Sequence, residues 1–343
     1  MRLLIVKLSA LGDVIQTLPA LSLLRQELSS VAIDWVVEER NAELLIDHPY
    51  LQRTILFKRE YFQRPKDLYF FLKSLRTEEY TMAIDFQGLL KSALIIFASR
   101  ARYRIGFANH REGSPLFYNV KLKPYDPELH AVKRYLMLAR KVILFLTFGR
   151  ELEVEEVEEI PRSIPMPEIK PKIEFQRPFF LLIAGARWET KVWPYSHWET
   201  FLRYCEALRK DYDFYFIGSE KEHSLKEFAE RMSQRFSGVQ SLVGRLNLRE
   251  LVYVMKKSRA IITVDTGTMH LASLLNKPIL ALFGPTSAGR TGPWSDVFIT
   301  LEAGLPCQPC FKRYCKSKGC MLSLDPKKVV NALEDLSQLQ GLH

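Results

Sequence analysis

The sequence predicts an α/β protein with two doubly wound, Rossmann-like domains, and three features of its 343 residues carry this prediction. Short runs of β-branched and aromatic residues alternate with stretches in which apolar residues recur at helical spacing. This alternation occurs in both halves of the chain. Between the halves, from about Glu151 to Phe175, lies a segment that is first acidic and then rich in proline, as a linker would be. Alternating strands and helices favour a parallel sheet with helices on both faces.

The first half predicts four strands and two helices. The strands are LLIVKL, AIDWVV, TILF and TMAIDF, and the helices are VIQTLPALSLLRQEL and PKDLYFFLKSLRTEE. The opening of the chain is apolar enough to be compared with a signal peptide. Because Lys7 interrupts the apolar stretch and Asp13 follows soon after, a buried first strand is the better interpretation.

The second half repeats the pattern. Its strands are FFLLIAG, DFYFIG, AIITVD and PILALFG, and its helices include HWETFLRYCEALRK, LRELVYVMKKS and KKVVNALEDLSQL. We place the domains at residues 1–160 and 161–325, followed by a C-terminal helix at 326–343. Open α/β sheets bind ligands at the carboxyl ends of their strands, so we expect the two domains to face each other across a cleft there.

Composition narrows the classes of function. Apolar residues make up 47% of the chain, as in globular proteins, and no apolar run approaches the ~20 residues that span a bilayer. We therefore expect a cytoplasmic protein. The net charge of +10 favours an anionic partner, which means nucleic acid, an anionic membrane face or a phosphorylated substrate. Nucleic acid is not expected, because no recognition motif occurs and the basic residues are spread along the chain.

The first candidate site residue is Asp13, in the string KLSALGDV directly after the first strand. Gly12 keeps the turn narrow and lets a ligand approach the backbone. Asp13 is then either a general base at the carboxyl end of the sheet or a first-turn acid that interacts with the helix dipole. Spacing alone leaves both interpretations open.

Two further candidates, Arg187 and Lys191, lie in the loop AGARWETKVWPYSHW after a strand. Cationic side chains at a strand's carboxyl end suit phosphate, although exposed lysines are common. Ser196 and Glu199 have the spacing of a capping box, so we expect a helix to begin at Ser196.

The strongest pattern is IITVDTGTMHLASLLNKPILALFGPT. A buried strand ends in Asp265, and Thr266, Gly267 and Thr268 open a helix that carries His270. Free N–H groups at a helix start bind phosphate, and the threonine hydroxyls add donors. A single histidine in this position is also compatible with a core residue. The complete string favours phosphate binding.

Glu222 follows the glycine of FIGSEKEH. An acid at this distance accepts hydrogen bonds from ribose hydroxyls in dinucleotide folds, but it also suits the start of a helix.

Four of the five cysteines fall in the string LPCQPCFKRYCKSKGCM: Cys307, Cys310, Cys315 and Cys320. Their spacing is compatible with a structural zinc site, with a redox or disulfide cluster, and with unligated thiols. The sequence leaves these alternatives open, and we assign no metal ligand. Cys205 lies in a helical pattern, which predicts a core residue.

Taken in order, these strings resemble the ADP-heptose:lipopolysaccharide heptosyltransferases of glycosyltransferase family 9, which have the GT-B fold. The likeness covers nearly the whole chain. It includes LLIVKLSALGDVIQTLPAL, IDWVVEER, AIDFQGLLKSAL, the KVWP loop, LVGRLNLRELVYVM and VDTGTMHLASLLNKPILALFGPT. The resemblance implies an inverting transfer that is independent of metals and cofactors. The heptose would pass from ADP-heptose to the Kdo–heptose inner core of lipopolysaccharide.

The resemblance also implies roles for individual residues. Asp13 matches the catalytic base, and Lys191 matches a lysine near the donor phosphates. The donor-binding loop of the family is matched by Asp265, Thr266, Gly267 and His270. Its ribose-binding acid is matched by Glu222, and its apolar residue packed on adenine is matched by Leu246. One departure is that Ala186 and Arg187 stand where relatives can carry threonines. Phosphate contact there would come from the backbone or from Arg187.

The acceptor is less clearly specified. The cysteine-rich string resembles a segment of some second-heptose enzymes, whereas the opening and DFQGLLKSA are closer to first-heptose enzymes. The basic segment FKREYFQRPK, with Lys58, Arg59, Arg64 and Lys66, suits an anionic Kdo–lipid A acceptor at the cytoplasmic face of the inner membrane, where the protein would bind peripherally. A solvated face explains it equally well. The alternative functions are a transferase that uses a UDP- or GDP-sugar and a two-lobed binding protein.

Overall fold

The computed structural model describes residues 1–149, 154 and 164–338. These residues form two compact units, which divide between Pro167 and Glu168. Residues 151–153 and 155–163 of the predicted linker lie outside the described residues, and its described part, 154 and 164–175, contains no helix or strand. Among the described residues, no helix combines the length and the apolar character needed to cross a membrane.

Unit 1 is built on a six-stranded parallel sheet in the order β3-β2-β1-β4-β5-β6. Its strands are β1 (Arg2–Val6), β2 (Ala32–Glu38), β3 (Arg53–Phe57), β4 (Met82–Asp85), β5 (Tyr103–Phe107) and β6 (Val120–Leu122). Its helices are α1 (Leu11–Glu27), α2 (Pro65–Ser74), α3 (Leu90–Ala98) and α4 (Ala131–Phe148). In the central strands, Leu4 of β1 pairs with Asp34 of β2 and with Ala83 of β4.

Unit 2 has a second six-stranded parallel sheet in the order β12-β11-β10-β7-β8-β9. Its strands are β7 (Phe179–Ile183), β8 (Asp213–Ile217), β9 (Val239–Ser241), β10 (Ala260–Val264), β11 (Ile279–Phe283) and β12 (Phe298–Glu302). Its helices are α5 (Tyr195–Tyr204), α6 (His223–Arg235), α7 (Leu248–Lys257), α8 (Gly267–Leu274), α9 (Ala288–Thr291), α10 (Gly319–Leu322) and α11 (Pro326–Gln338). The two sheets confirm the predicted α/β class.

Of the twelve strands in the described part of the chain, the sequence predicts eight and misses β5, β6, β9 and β12. Three of the missed strands, β6, β9 and β12, form edges of the sheets. An edge strand needs less apolar surface than a central one. β6 and β9 have only three residues each, and no residue of β12 is fully buried, so no clear pattern marks them.

The expected capping box at Ser196 is wrong. Helix α5 begins at Tyr195 with Pro194 as its N-cap, so Ser196 already lies inside the helix. An N-cap needs an extended backbone, and here Pro194 provides it (φ −55°, ψ 139°). Glu199 instead forms ion pairs with Arg203 and Arg235. The helix also ends at Tyr204, short of the predicted Lys210.

The core of unit 2 is rich in aromatic residues. Trp193 and Trp198 are fully buried with ring centroids 5.0 Å apart, and Phe201 packs edge-on against Trp198. Trp193 Nε1 donates a hydrogen bond to the carbonyl of Leu324, 3.0 Å away, just before α11. The aromatic cluster therefore anchors both the loop before α5 and the start of the last helix.

Replacing Phe201 with alanine should destabilise unit 2 by about 3–5 kcal/mol, because it removes a fully buried ring from this cluster. Phe298→Ala is the matched control, since Phe298 lies on the edge strand β12 and is 44% exposed. Urea unfolding followed by tryptophan fluorescence measures both. Equal losses in the two variants would show that the aromatic cluster is not the main source of stability.

Candidate functional site

The predicted site residues lie in loops and helix starts that follow the carboxyl ends of strands in each unit. Asp13 belongs to unit 1, and all other candidates belong to unit 2. In both sheets every pairing of neighbouring strands is parallel. The loops that follow the strands of a sheet therefore all lie at the carboxyl ends of its strands.

Asp13 lies in the first turn of α1 and is half-buried. The N-cap residue is Ala10, which has no side chain to cap the helix. Asp13 Oδ2 instead accepts a hydrogen bond from the Ala10 backbone N–H at 3.0 Å. The structure thus shows the first-turn interaction.

Gln87 holds the loop between β1 and α1. Its Oε1 accepts hydrogen bonds from the backbone N–H groups of Leu8 and Ser9, each at 3.1 Å. The Gln87 backbone N–H in turn donates to Asp85 Oδ1 at 2.9 Å. The end of β4 therefore fixes the segment that leads to Asp13. The string AIDFQG is visible in the sequence, but no role for Gln87 was predicted from it.

Lys7 is a buried cation close to Asp13, and only 3% of it is exposed. Its Nζ donates to the Phe86 carbonyl at 3.0 Å and to the Tyr135 hydroxyl at 2.8 Å. Burial alone lowers the pKa of Lys7, but the Tyr135, Asp13 and Asp85 groups outweigh burial and raise it. Lys7 therefore carries a positive charge beside Asp13. A lysine at the end of an otherwise apolar strand was the signal for this residue.

In unit 2, the structure brings Lys191 and Asp265 into contact. Lys191 Nζ lies 2.6 Å from Asp265 Oδ2, and the Thr286 hydroxyl donates to the same oxygen at 2.5 Å. The Lys191 ammonium also lies 4.7 Å from the centre of the Trp188 ring. A lysine has three N–H donors, so this pairing leaves donors for an anionic ligand. No role for Thr286 or Trp188 was predicted from the sequence.

Helix α8 begins beside this ion pair. Thr266 is its N-cap with extended backbone, and its side chain makes no capping bond. Gly267 and Thr268 form the first turn and are half-buried, whereas His270 is buried. A helix start with Lys191 nearby is an arrangement that can bind phosphate.

Glu222 lies at the N-cap position of α6. Its Oε2 accepts hydrogen bonds from the Ser219 backbone N–H at 2.7 Å and from the Ser219 hydroxyl at 2.9 Å. A Cβ at Gly185 would overlap Glu222 Oε1, so the glycine lets this carboxylate lie against the end of β7. Half-buried Leu246 follows β9, and Arg187 is exposed in the loop after β7.

The cysteine-rich segment packs on the loops that carry Lys191 and Thr286. The Thr190 hydroxyl donates to the Lys312 carbonyl at 2.9 Å, and the Cys310 and Phe311 N–H groups donate to the Pro285 carbonyl. The Arg313 guanidinium lies 5.0 Å from the centre of the Trp188 ring. All five cysteines are free thiols, and Cys205 is buried in the core as predicted. Within the described ranges, no three His, Cys, Asp or Glu side chains are grouped to hold a metal ion.

The known proteins that this chain resembles in sequence and in fold are heptosyltransferases. A family model described as glycosyltransferase family 9 (heptosyltransferase) matches residues 69–321. Lipopolysaccharide heptosyltransferase 1 of Pseudomonas aeruginosa is 31% identical over 97% of both chains. Lipooligosaccharide heptosyltransferase 2 of Haemophilus influenzae is 30% identical over 65% of this chain and 66% of its own. An Escherichia coli heptosyltransferase solved with ADP superposes with a TM-score of 0.76 at 24% identity, over 98% of this chain and 100% of that one, and shows the same fold.

Brief alkylation of the native protein should modify Cys307 and Cys315 first and Cys205 last. Cys307 is exposed, and the hydrogen bond with the Ser317 hydroxyl lowers the pKa of Cys315. Burial raises the pKa of Cys205 to about 12, which keeps it in the unreactive thiol form. Peptide mass spectrometry gives the order of modification. Protection of Cys307 and Cys315, together with a stoichiometric metal in elemental analysis, would contradict the free-thiol state.

Proposed function

Because this chain belongs to glycosyltransferase family 9, the heptosyltransferases, it is a glycosyltransferase, and we propose that it moves a heptose from ADP-heptose onto the inner core of lipopolysaccharide. The observation that carries this proposal is the 31% identity with a lipopolysaccharide heptosyltransferase over 97% of both chains. The polar groups at the carboxyl edges of both sheets are compatible with this reaction.

Unit 2 supplies the groups for the ADP part of the donor. Lys191 and the start of α8, with Thr266, Gly267 and Thr268, would neutralise the pyrophosphate. The remaining groups would contact the rest of the nucleotide: Arg187 and His270 at the phosphates, Glu222 at the ribose hydroxyls, and Leu246 at adenine. Asp265 would hold Lys191 in position through their 2.6 Å ion pair.

Unit 1 supplies the base. In an inverting transfer, one acceptor hydroxyl attacks the anomeric carbon as the bond to the ADP phosphate breaks. Asp13 would take the hydroxyl proton, and its negative charge would stabilise the oxocarbenium-like transition state. Lys191 and the start of α8 would stabilise the charge that develops on the departing ADP. In this proposal these side chains and the helix start promote the transfer, and no cofactor is assigned a role.

The acceptor we propose is an anionic Kdo–lipid A molecule at the cytoplasmic face of the inner membrane, where the protein would bind peripherally. The basic residues Lys58, Arg59, Arg64 and Lys66 are all exposed. Three aromatic residues of the same region, Phe62, Tyr69 and Phe70, are also exposed, by 41–63%. Cationic and aromatic side chains together suit an anionic lipid surface. The longer match to a heptosyltransferase 1 favours transfer of the first heptose.

Asp13→Asn should lower kcat about 10²–10⁴-fold, because asparagine cannot take the proton. The amide oxygen can still accept the Ala10 hydrogen bond, so the start of α1 should persist. Transfer kinetics measure the loss, and calorimetry should show unchanged ADP affinity. A variant that keeps most of its kcat would remove Asp13 from the role of base.

Lys191→Gln should weaken ADP binding by about tenfold or more, because one charge-assisted contact to phosphate is lost. Adenosine, which has no phosphate, is the matched control ligand, and its affinity should not change. Calorimetry with both ligands makes the comparison. Equal weakening for ADP and adenosine would mean that Lys191 acts on the shape of the unit and does not contact phosphate.

A nucleotide screen tests the rival donors. ADP should raise the thermal midpoint of the protein, whereas UDP and GDP at the same concentration should raise it less. A ligand stabilises the folded protein more, the more tightly it binds the folded state. Preference for UDP or GDP would indicate a different sugar donor. Binding of ADP-heptose without turnover on any Kdo-bearing acceptor would favour a binding protein.

A further inference from the structure

Unit 1 contains a cluster of basic and aromatic side chains close to Asp13 that the donor does not use. Its members come from the loops after β1, β5 and β6 and from the first two turns of α4. Because β1, β5 and β6 belong to one parallel sheet, the loops that follow them lie at the same end of that sheet. We name it the Arg134 cluster, and its members are Lys7, His110, Tyr125, Arg134 and Tyr135.

Aromatic contacts connect the outer part of the cluster. The Arg134 guanidinium lies 4.8 Å from the centre of the Tyr125 ring. The Tyr125 ring contacts the His110 ring edge-on, with centroids 6.3 Å apart. His110 Nδ1 is bonded to the Tyr118 hydroxyl at 3.0 Å. The guanidinium therefore lies over an aromatic ring that is itself in contact with a second, hydrogen-bonded ring.

The inner part of the cluster leads to Asp13. Tyr135, the next residue after Arg134, takes the hydrogen bond from Lys7 at 2.8 Å, and the Lys7 ammonium also lies 4.7 Å from the centre of the Tyr135 ring. Asp13 acts electrostatically on both Lys7 and Tyr135. The cluster and the proposed base therefore share one electrostatic environment.

The cluster has an excess of positive charge. Arg134 Nε is buried, and among the described residues it has no hydrogen-bond partner. Burial, followed by the charges of Lys7, Arg134 and Arg111, lowers the pKa of His110 to about 3, so this histidine is neutral at pH 7. A partly buried cation with an unused donor is costly unless an anion approaches it.

The two acids that act electrostatically on Lys7 already accept hydrogen bonds. Asp13 accepts the Ala10 N–H, and Asp85 Oδ1 accepts the N–H groups of Gln87 and Gly88. Asp85 Oδ2 accepts the hydroxyls of Ser92 and Tyr118. Neither acid is within ion-pair distance of Arg134 in the described part of the chain.

We propose that the Arg134 cluster is a carboxylate-binding subsite that holds the acid group of the acceptor sugar beside Asp13. This inference rests on the proposed function, because it assigns a place to one group of that acceptor. The guanidinium would bind the carboxylate through its planar set of N–H donors, with Lys7 and Tyr135 reinforcing the positive potential from behind. A sugar acid carries its carboxylate and its attacking hydroxyl on the same ring. Fixing the carboxylate therefore orients the hydroxyl toward the base.

The test combines two enzymes with two acceptors. The variant is Arg134→Gln, and the matched control is Arg140→Gln, which removes the same charge from α4 six residues further along. The acceptors are the natural sugar acid and its analogue in which the carboxylate is reduced to an alcohol. The readout is kcat/KM for acceptor at saturating ADP-heptose.

With the natural acceptor, Arg134→Gln should lose about 10- to 150-fold in kcat/KM, as expected for a hydrogen-bonded charge pair. With the reduced acceptor, wild type should show a similar loss and Arg134→Gln no further loss. Arg134→Lys, which keeps the charge without the planar fork, should fall between them. Arg140→Gln should match wild type with both acceptors.

Independent losses, in which Arg134→Gln impairs both acceptors by the same factor, would overturn the subsite, because Arg134 would then act on the fold. No loss in Arg134→Gln would overturn it too. In either case transfer by wild type would leave the proposed function standing. Absence of transfer by wild type would instead overturn the proposed function, and the subsite with it.

Discussion

Parallel pairing of the strands is the constraint on which the candidate sites depend. In a parallel sheet, every loop that follows a strand lies at the same end of the sheet, however far apart the loops are in sequence. In unit 2 this brings Lys191, from the loop after β7, to Asp265, at the end of β10. In unit 1 it brings Gln87, after β4, to the loop that leads to Asp13, after β1. The chemistry comes from residues that are far apart in sequence and adjacent in the sheet.

The charged side chains at the carboxyl ends of the strands have different partners in the two units. In unit 2 the lysine is paired with an acid, and Thr286 donates to the same carboxylate oxygen, so the ammonium is oriented before any ligand binds. In unit 1 the cations Lys7 and Arg134 contact aromatic rings and a hydroxyl, and the acids near them are held by backbone N–H groups. The first arrangement positions a cation. The second arrangement leaves positive potential beside the proposed base, and this potential would attract the carboxylate of the proposed acceptor sugar.

The α/β class and eight of the twelve strands that the described residues form were predictable, because buried parallel strands need continuous apolar runs. The edge strands β6, β9 and β12 were not, since a strand with one neighbour needs fewer apolar residues. The pairing of Lys191 with Asp265 could not be read from sequence, because nothing local indicates that loops 74 residues apart meet. Lys7 was visible as a lysine ending an apolar strand, but its partners Phe86 and Tyr135 depend on packing between elements. The role of Ser196 was mispredicted, because Pro194 begins the helix earlier than the capping-box spacing implies.

The central claim is that this chain transfers a heptose to a lipopolysaccharide acceptor. Incubation with ADP-heptose and Kdo₂-lipid A, followed by mass spectrometry of the lipid, measures this most directly. We expect an acceptor heavier by a single heptose, with ADP released only when the acceptor is present. An unchanged acceptor, or ADP release that does not depend on it, would contradict the account.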